Sequence, residues 1–269
     1  MSASALRLPP SFREKVWGTT DLSPWFPDSQ SKIGEVWFSR ETEIPLLLKF
    51  IFAAERLSVQ VHPNDEYGRR VEGSAGKTEM WHILRAAPGA AIALGFHEPL
   101  SPERLREASL SGEIETLLNW VPVKPGETYF VCAGMVHAIG AGIALAEIQQ
   151  FSDITYRLYD YGRPRELHLG RALDVSRMTP HPGAVEPLPM TDGAERLIAC
   201  PYFVTDRIVV DGSMTLSTAA PAAEFWMITH GEGVLEGEPF RAGEVWFAPG
   251  GSYRLDGHAA FLRTYAPLS

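Results

Sequence analysis

Residues 57–62, Leu-Ser-Val-Gln-Val-His, alternate apolar and polar side chains, and Pro63 stops the alternation. A period of two marks a half-buried strand, with Leu57, Val59 and Val61 on one side and Ser58, Gln60 and His62 on the other. Proline ends such a strand because it has no amide hydrogen for a neighbour. A polar stretch carrying Gly68, Gly73 and Gly76 reads as loop. Thr78-Glu79-Met80-Trp81-His82-Ile83-Leu84 then resumes as a strand. If that strand returned alongside the first, Glu79 would stand beside Gln60 and His62.

The same punctuation runs through the chain. Strands are expected at 34–39, 44–54, 57–62, 78–84, 91–96 and from 121 to 131, with turns at Pro88-Gly89 and Lys124-Pro125-Gly126. Helical signals are few. Ser101 caps, Pro102 suits the first helical position and Glu103 suits the dipole, opening a short helical segment over 101–120. A second helix is expected within 164–177, with Leu169, Leu173 and Val175 as its apolar side. The proline-rich stretch 179–194 reads as a linker between a catalytic domain, 1–178, and a smaller C-terminal one, 195–269. Many short strands with glycine-rich turns predict a mostly β chain of two barrel or jelly-roll units.

Composition narrows the function. The net charge is −9 and no lysine- or arginine-rich run occurs, which argues against nucleic acid while leaving room for a local phosphate pocket. Two cysteines in 269 residues make no disulfide framework and fit a reduced, cytoplasmic setting. The N-terminus carries no apolar signal core, and the longest apolar run, 44–54, is interrupted by Lys49 and too short to span a bilayer, so no membrane association is expected.

Gln60, His62, Glu79 and His137 are the candidate ligands of one metal ion. Two imidazoles and a carboxylate suit zinc and its first-row neighbours, and a glutamine oxygen is a weaker fourth donor. Lone strand histidines are usually packed residues, so these two count as ligands only beside a second pattern. It lies in Gly126-Glu127-Thr128-Tyr129-Phe130-Val131-Cys132-Ala133-Gly134-Met135-Val136-His137, which resembles the second cupin motif with Cys132 in place of the usual proline. Gly243 to Arg254 repeats that frame with Arg254 at the histidine position. The chain therefore resembles a double cupin whose second half has lost its ligand.

A closer resemblance covers residues 12 to 168. Phe12 to Gly18, Ser58 to Asp65, Gly76-Lys77-Thr78-Glu79, Ala133 to Ile139, Glu147 to Tyr161 and Pro164 to His168 match the type I phosphomannose isomerases, in family order and most like the short bacterial form. The resemblance implies metal-dependent interconversion of mannose 6-phosphate and fructose 6-phosphate through an enediolate. It implies one divalent ion per chain, Zn2+ or else Mn2+ or Co2+, on His62, Glu79, His137 and Gln60. It also implies Lys77 and Arg157 as catalytic and substrate-binding and Arg163 as a phosphate contact. Glu147, in the strand Ala144-Leu145-Ala146-Glu147-Ile148 and opposite in phase to Ala146 and Ile148, either faces the pocket as a proton shuttle or a support for Arg157, or is simply exposed on a sheet face. Gly76 stands where long members have a histidine, and the helical insertion of those members is reduced here to 101–120. The partner expected is a small sugar phosphate, with the protein a monomer or homodimer. Three rivals stand beside this reading: isomerisation of another phosphosugar, an iron oxygenase, which would ordinarily have a histidine at position 60, and a non-catalytic sugar-phosphate sensor, for which Lys77 and Arg157 would be superfluous.

Overall fold

The computed structural model describes residues 4–190, 193–219 and 223–267. The chain divides into two compact units. One holds 1–15, 19–50 and 185–269; the other holds 16–18 and 51–184. The cut at 184/185 falls inside the stretch read as linker. Residues 19–50, grouped by sequence with the catalytic half, belong instead to the unit of the C-terminal strands. Strand partnership is set by long-range pairing, which a linear reading of composition does not detect.

The chain opens with β1 (Leu6–Arg7), β2 (Ser11–Thr19), β3 (Ile33–Arg40) and β4 (Ile44–Ala53), whose residues belong to the first unit except Val16–Gly18 and Ile51–Ala53, which belong to the second. The register of β2 on β3 sets Phe12 opposite Val36. The residues that follow build the second unit: β5 (Val59–Val61), α1 (Asp65–Glu72), β6 (Glu79–Ala86), β7 (Ala91–Phe96), α2 (Pro102–Ser111), α3 (Ile114–Leu117), β8 (Leu118–Pro122), β9 (Thr128–Val131), β10 (His137–Ile139), β11 (Ile143–Gln150), β12 (Tyr156–Tyr159) and α4 (Leu169–Val175). The first unit closes with β13 (Leu188–Pro189), β14 (Glu195–Ala199), β15 (Val204–Ser217), β16 (Ala223–Leu235), β17 (Glu238–Arg241), β18 (Val245–Pro249) and β19 (Ser252–Tyr265).

The mostly β expectation holds, with one change. The sheets are open, as their strand orders show, rather than closed barrels. In the second unit one sheet runs β12-β5-β10-β7-β8 and another places β6 between β11 and β9. Trp81, Ile83, Ile92, Leu94, Tyr129 and Leu145 belong to one buried apolar cluster shared by these sheets. The helices cover the other side of the five-stranded sheet, where Val59, Val61, Ala138 and Leu158 pack with Leu105, Ala108 and Ala172. Leu57 precedes β5 and joins the first cluster instead, so the apolar side of 57–61 is split between two cores.

Two helix readings change. The glycine-bearing stretch after Pro63 contains α1. Asn64 accepts the amide of Tyr67, Asp65 and Glu66 lie in the first turn, Arg69 and Arg70 in the last, and Gly73 closes the helix in the left-handed region at φ 67°. The cap and charge order outweigh Gly68 inside the helix. After α2, capped by Ser101 as expected, helix stops at Leu117 and Leu118 starts a strand on β7.

Candidate active site

The site is made of two facing rows of side chains. On the five-stranded sheet, His137 pairs with Gln60 and Gln60 pairs with Arg157, so β10, β5 and β12 put these three in line on one face. His62, two residues beyond Gln60, shares its phase. On the other sheet Glu79 pairs with Gln149 on one side and Val131 on the other, and Trp81 pairs with Glu147. Glu79 thus reaches the histidines from the opposing sheet rather than from a strand returning beside β5. The three side chains, His62, Glu79 and His137, are brought together across two sheets rather than within one.

His62, Glu79 and His137 offer ligand atoms that all lie within 4.8 Å of one another. His62 Nε2 is 3.5 Å from Glu79 Oε2 and His137 Nε2 is 3.5 Å from Glu79 Oε1, and all three side chains are buried. The imidazole tautomers follow from their backs. His62 Nδ1 donates to the Ile154 carbonyl at 2.7 Å and His137 Nδ1 to the Met135 carbonyl at 2.8 Å. In the neutral ring each Nε2 then carries the lone pair, on the side that faces the carboxylate. Burial pushes the His137 pKa down to about 4, which keeps that ring neutral. Two imidazole Nε2 atoms and a buried carboxylate converging on one point form a donor set that fits a divalent first-row ion.

Gln60 lies at the edge of this set, its Nε2 3.4 Å from His137 Nε2 while Ser58 Oγ donates to its Oε1 at 3.2 Å. The Ser58 hydroxyl can accept as well as donate, so turning the amide over would keep that contact and present the oxygen to the histidines. Lys77 is the cation these donors face: its Nζ is 3.1 Å from both His62 Nε2 and Glu79 Oε2, at 4% exposure. The Lys77 amide donates to the Pro63 carbonyl.

Glu147 is buried rather than exposed on a sheet face, and accepts from Trp81 Nε1 at 3.0 Å. The Trp81 ring stacks edge-on against His137. Arg157 is tethered by the Glu166 carbonyl at 2.7 Å through Nη1. Burial and the nearby Arg165 and Arg163 guanidiniums hold its pKa below the ordinary value. Arg163 bonds Asp160 and the Arg56 carbonyl, and Arg165 bonds the same Asp160. One carboxylate against two guanidiniums leaves this corner positive.

Asp65, Gln149, Gln150 and Arg165 lie inside the matched motifs, but nothing in their local pattern gives them a role. Gln149, fully buried beside Glu79, donates its amide to the carbonyls of Gln150 and Ser152. His82, three residues beyond Glu79 and so on the opposite face of β6, is buried and bonds Thr128.

No family model matches the chain. It is 35% identical to the mannose-6-phosphate isomerase ManA of Bacillus subtilis, an alignment covering 96% of this chain and 98% of that one. It is 39% identical to the mannose-6-phosphate isomerase of Streptococcus mutans over 68% of this chain and 60% of that protein. Among solved structures, the mannose 6-phosphate isomerase of Bacillus subtilis superimposes with a TM-score of 0.89 at 27% identity, covering 98% of this chain and all of that one. A protein from Archaeoglobus fulgidus described as a putative mannosephosphate isomerase shares the fold, with a TM-score of 0.81 at 19% identity.

Proposed function

The chain belongs to the mannose-6-phosphate isomerase family, and we propose that it interconverts mannose 6-phosphate and fructose 6-phosphate using one divalent ion, zinc by preference, held by His62, Glu79 and His137 with Gln60 as a fourth donor. The observation that carries this reading is the convergence of two tautomer-locked Nε2 atoms and a buried carboxylate beside Lys77, in a chain alignable to a relative of that activity over nearly its whole length.

The reaction moves one proton between carbons. In the open-chain sugar it leaves C2 and returns to C1, while the hydroxyl proton moves from O2 to O1. A divalent ion held by His62, Glu79 and His137, with Gln60, would supply Lewis-acid polarisation of the substrate's oxygens. Lys77, its amine beside the ligand cluster, carries the carbon proton. Arg157, in line with Gln60 on the same sheet face, stabilises the negative charge of the enediolate as a fixed guanidinium. Arg163, in the positive corner it forms with Arg165 over Asp160, receives the phosphate. Glu147, buried on the face that carries Glu79, passes the hydroxyl proton between oxygens.

A coupled assay on chelator-stripped protein, reloaded in turn with zinc, manganese or cobalt, tests the reading. Metal-dependent conversion of mannose 6-phosphate is expected, with one ion per chain at full activity. Stoichiometric metal binding without turnover on this sugar would overturn it, in favour of another phosphosugar or a sensing role.

A further inference from the structure

Lys77 precedes β6 and lies outside any helix or ladder, yet its ammonium is buried between two candidate ligands. A lysine on a free loop would lose several rotatable bonds to hold that place. Its backbone shows what holds it. Three consecutive amides are each satisfied by a different group: Gly76 N–H donates to Asp65 Oδ1 at 2.9 Å, Lys77 N–H to the Pro63 carbonyl at 3.0 Å, and Thr78 N–H to Gln150 Oε1 at 2.9 Å. The two side chains are themselves joined, Gln150 Nε2 donating to Asp65 Oδ1 at 2.8 Å. This fixes the orientation of the Gln150 amide, since turning it over would aim its oxygen at the Asp65 carboxylate and its NH2 at an amide N–H. The Gln150 backbone amide returns to the Thr78 carbonyl at 3.1 Å, and Arg69 holds the other Asp65 oxygen at 2.8 Å.

Gly76 completes the arrangement. A Cβ there would lie 2.5 Å from the Asn64 carbonyl carbon and from the Asp65 nitrogen, so the segment is pressed against the backbone entering α1. Only glycine permits that approach. It explains why the position that is histidine in long members of the family cannot bear a side chain here.

We propose that Asp65 and Gln150 are positioning residues for Lys77: they form a polar clamp that ties the start of α1 to the end of β11 and sets the lysine amine at the ligand cluster. The proposal rests on the isomerase reading for the role of Lys77, although the clamp itself can be tested without turnover. Two readouts separate the two. In the first, native protein is treated with acetic anhydride and acetylation of each lysine is followed by peptide mass spectrometry. Gln150→Met and Asp65→Ala are expected to raise the acetylation rate of Lys77 at least about fivefold through local opening, while Lys49, 2% exposed, stays unreactive as a control for the fold. Asp65→Asn keeps an oxygen for both donors and is expected to restore protection. In the second, a double-mutant cycle measures kcat and KM. Gln150→Met should lower kcat roughly 10- to 100-fold with little change in KM or in bound metal, and should have less than about a twofold effect in a Lys77→Gln background. Unchanged Lys77 reactivity in the clamp variants, or an equal kcat loss in both backgrounds, would overturn the proposal. A wild-type protein without turnover would sink the isomerase reading alone, and the acetylation result would still decide the clamp.

Discussion

Two segments of this chain carry the same glycine frame and do opposite things with it. In Gly126 to His137 the last residue is 1% exposed and shows its Nε2 to Glu79. In Gly243 to Arg254 the last residue is exposed, while its neighbours Tyr253 and Leu255 are buried. The strand period places Arg254 outside, bonded to Asp256 two residues on, the same side of the strand. The interior of that unit is then filled by Trp226, Trp246, Tyr253 and Phe261, with the Trp226 ring 5.3 Å from that of Tyr253 and 5.5 Å from that of Phe261 between centroids. One frame ends on a buried imidazole within a cluster that could hold a metal ion, each imidazole with a hydrogen-bond partner behind it. The other fills its interior with packing. A motif in the sequence therefore specifies turns, and which face the final side chain takes decides whether chemistry is available.

The contrast predicts a double dissociation, and this is the largest effect expected. Glu79→Ala removes the carboxylate from the donor set and should cost on the order of 10³-fold or more in turnover together with the bound ion. Removing a buried acid from between two histidines and a lysine should leave the fold cooperative. Trp226→Ala should do the reverse, destabilising by about 3–5 kcal/mol through lost burial and a cavity, with kcat and metal stoichiometry unchanged in the protein that remains folded. Urea titration and metal analysis on both variants check it. A Trp226→Ala protein of normal stability but low metal content would break the division of labour.

The strands and caps of this site are legible where local chemistry decides them. The alternation around Gln60 and His62 indicates their shared face, Ser101-Pro102 marks the start of α2, and the glycine frame points to His137. What stays hidden depends on long-range register. No local signal aligns His137, Gln60 and Arg157 across three strands, or sends Glu79 to the opposing sheet, because strand pairing is chosen by the whole fold. Glycines at 68, 73 and 76 read as loop, although Gly73 is a helix cap and Gly76 a close-packing site. Asp65 and Gln150 are invisible as partners since they lie 85 residues apart and act through backbone amides. Residues 19–50 carry no composition change that would assign them to the C-terminal strands.

A smaller effect follows from the buried ring. In metal-stripped protein the His137 pKa is lowered from its ordinary 6.5 to about 4, burial being the main cause. Lys77 and His181 lower it further, while the Met135 carbonyl and Glu147 oppose the shift; His62 and Glu79 also face the ring. The unfolded chain binds a proton at this ring near pH 6.5, whereas the folded one does so only near pH 4. The contribution to stability is therefore complete above pH 6.5 and is lost as the pH falls through about 4. It amounts to on the order of 3 kcal/mol. Urea midpoints of the apo protein between pH 7 and pH 4 should fall accordingly, and His137→Gln should flatten part of that slope. A slope of the same size in His137→Gln would place the titrating group elsewhere.

The smallest effect expected is the most direct test of the comparison. Arg254→His restores the motif residue that the C-terminal frame lacks. If the sequence frame alone made a ligand site, this variant would bind a second ion. The strand phase says otherwise: position 254 lies on the exposed side, its backbone amide is held by Glu236, and the side chain it would replace is bonded to Asp256 in solvent. Tyr253 and Leu255, not residue 254, face the aromatic interior. Metal analysis of the loaded variant should give the same stoichiometry as the wild type, and Tm should stay within about 2 °C, since an exposed ion pair contributes little. A second equivalent of zinc bound by Arg254→His would show that the face can be reversed by one side chain, and the two segments would then differ by a single residue rather than by register.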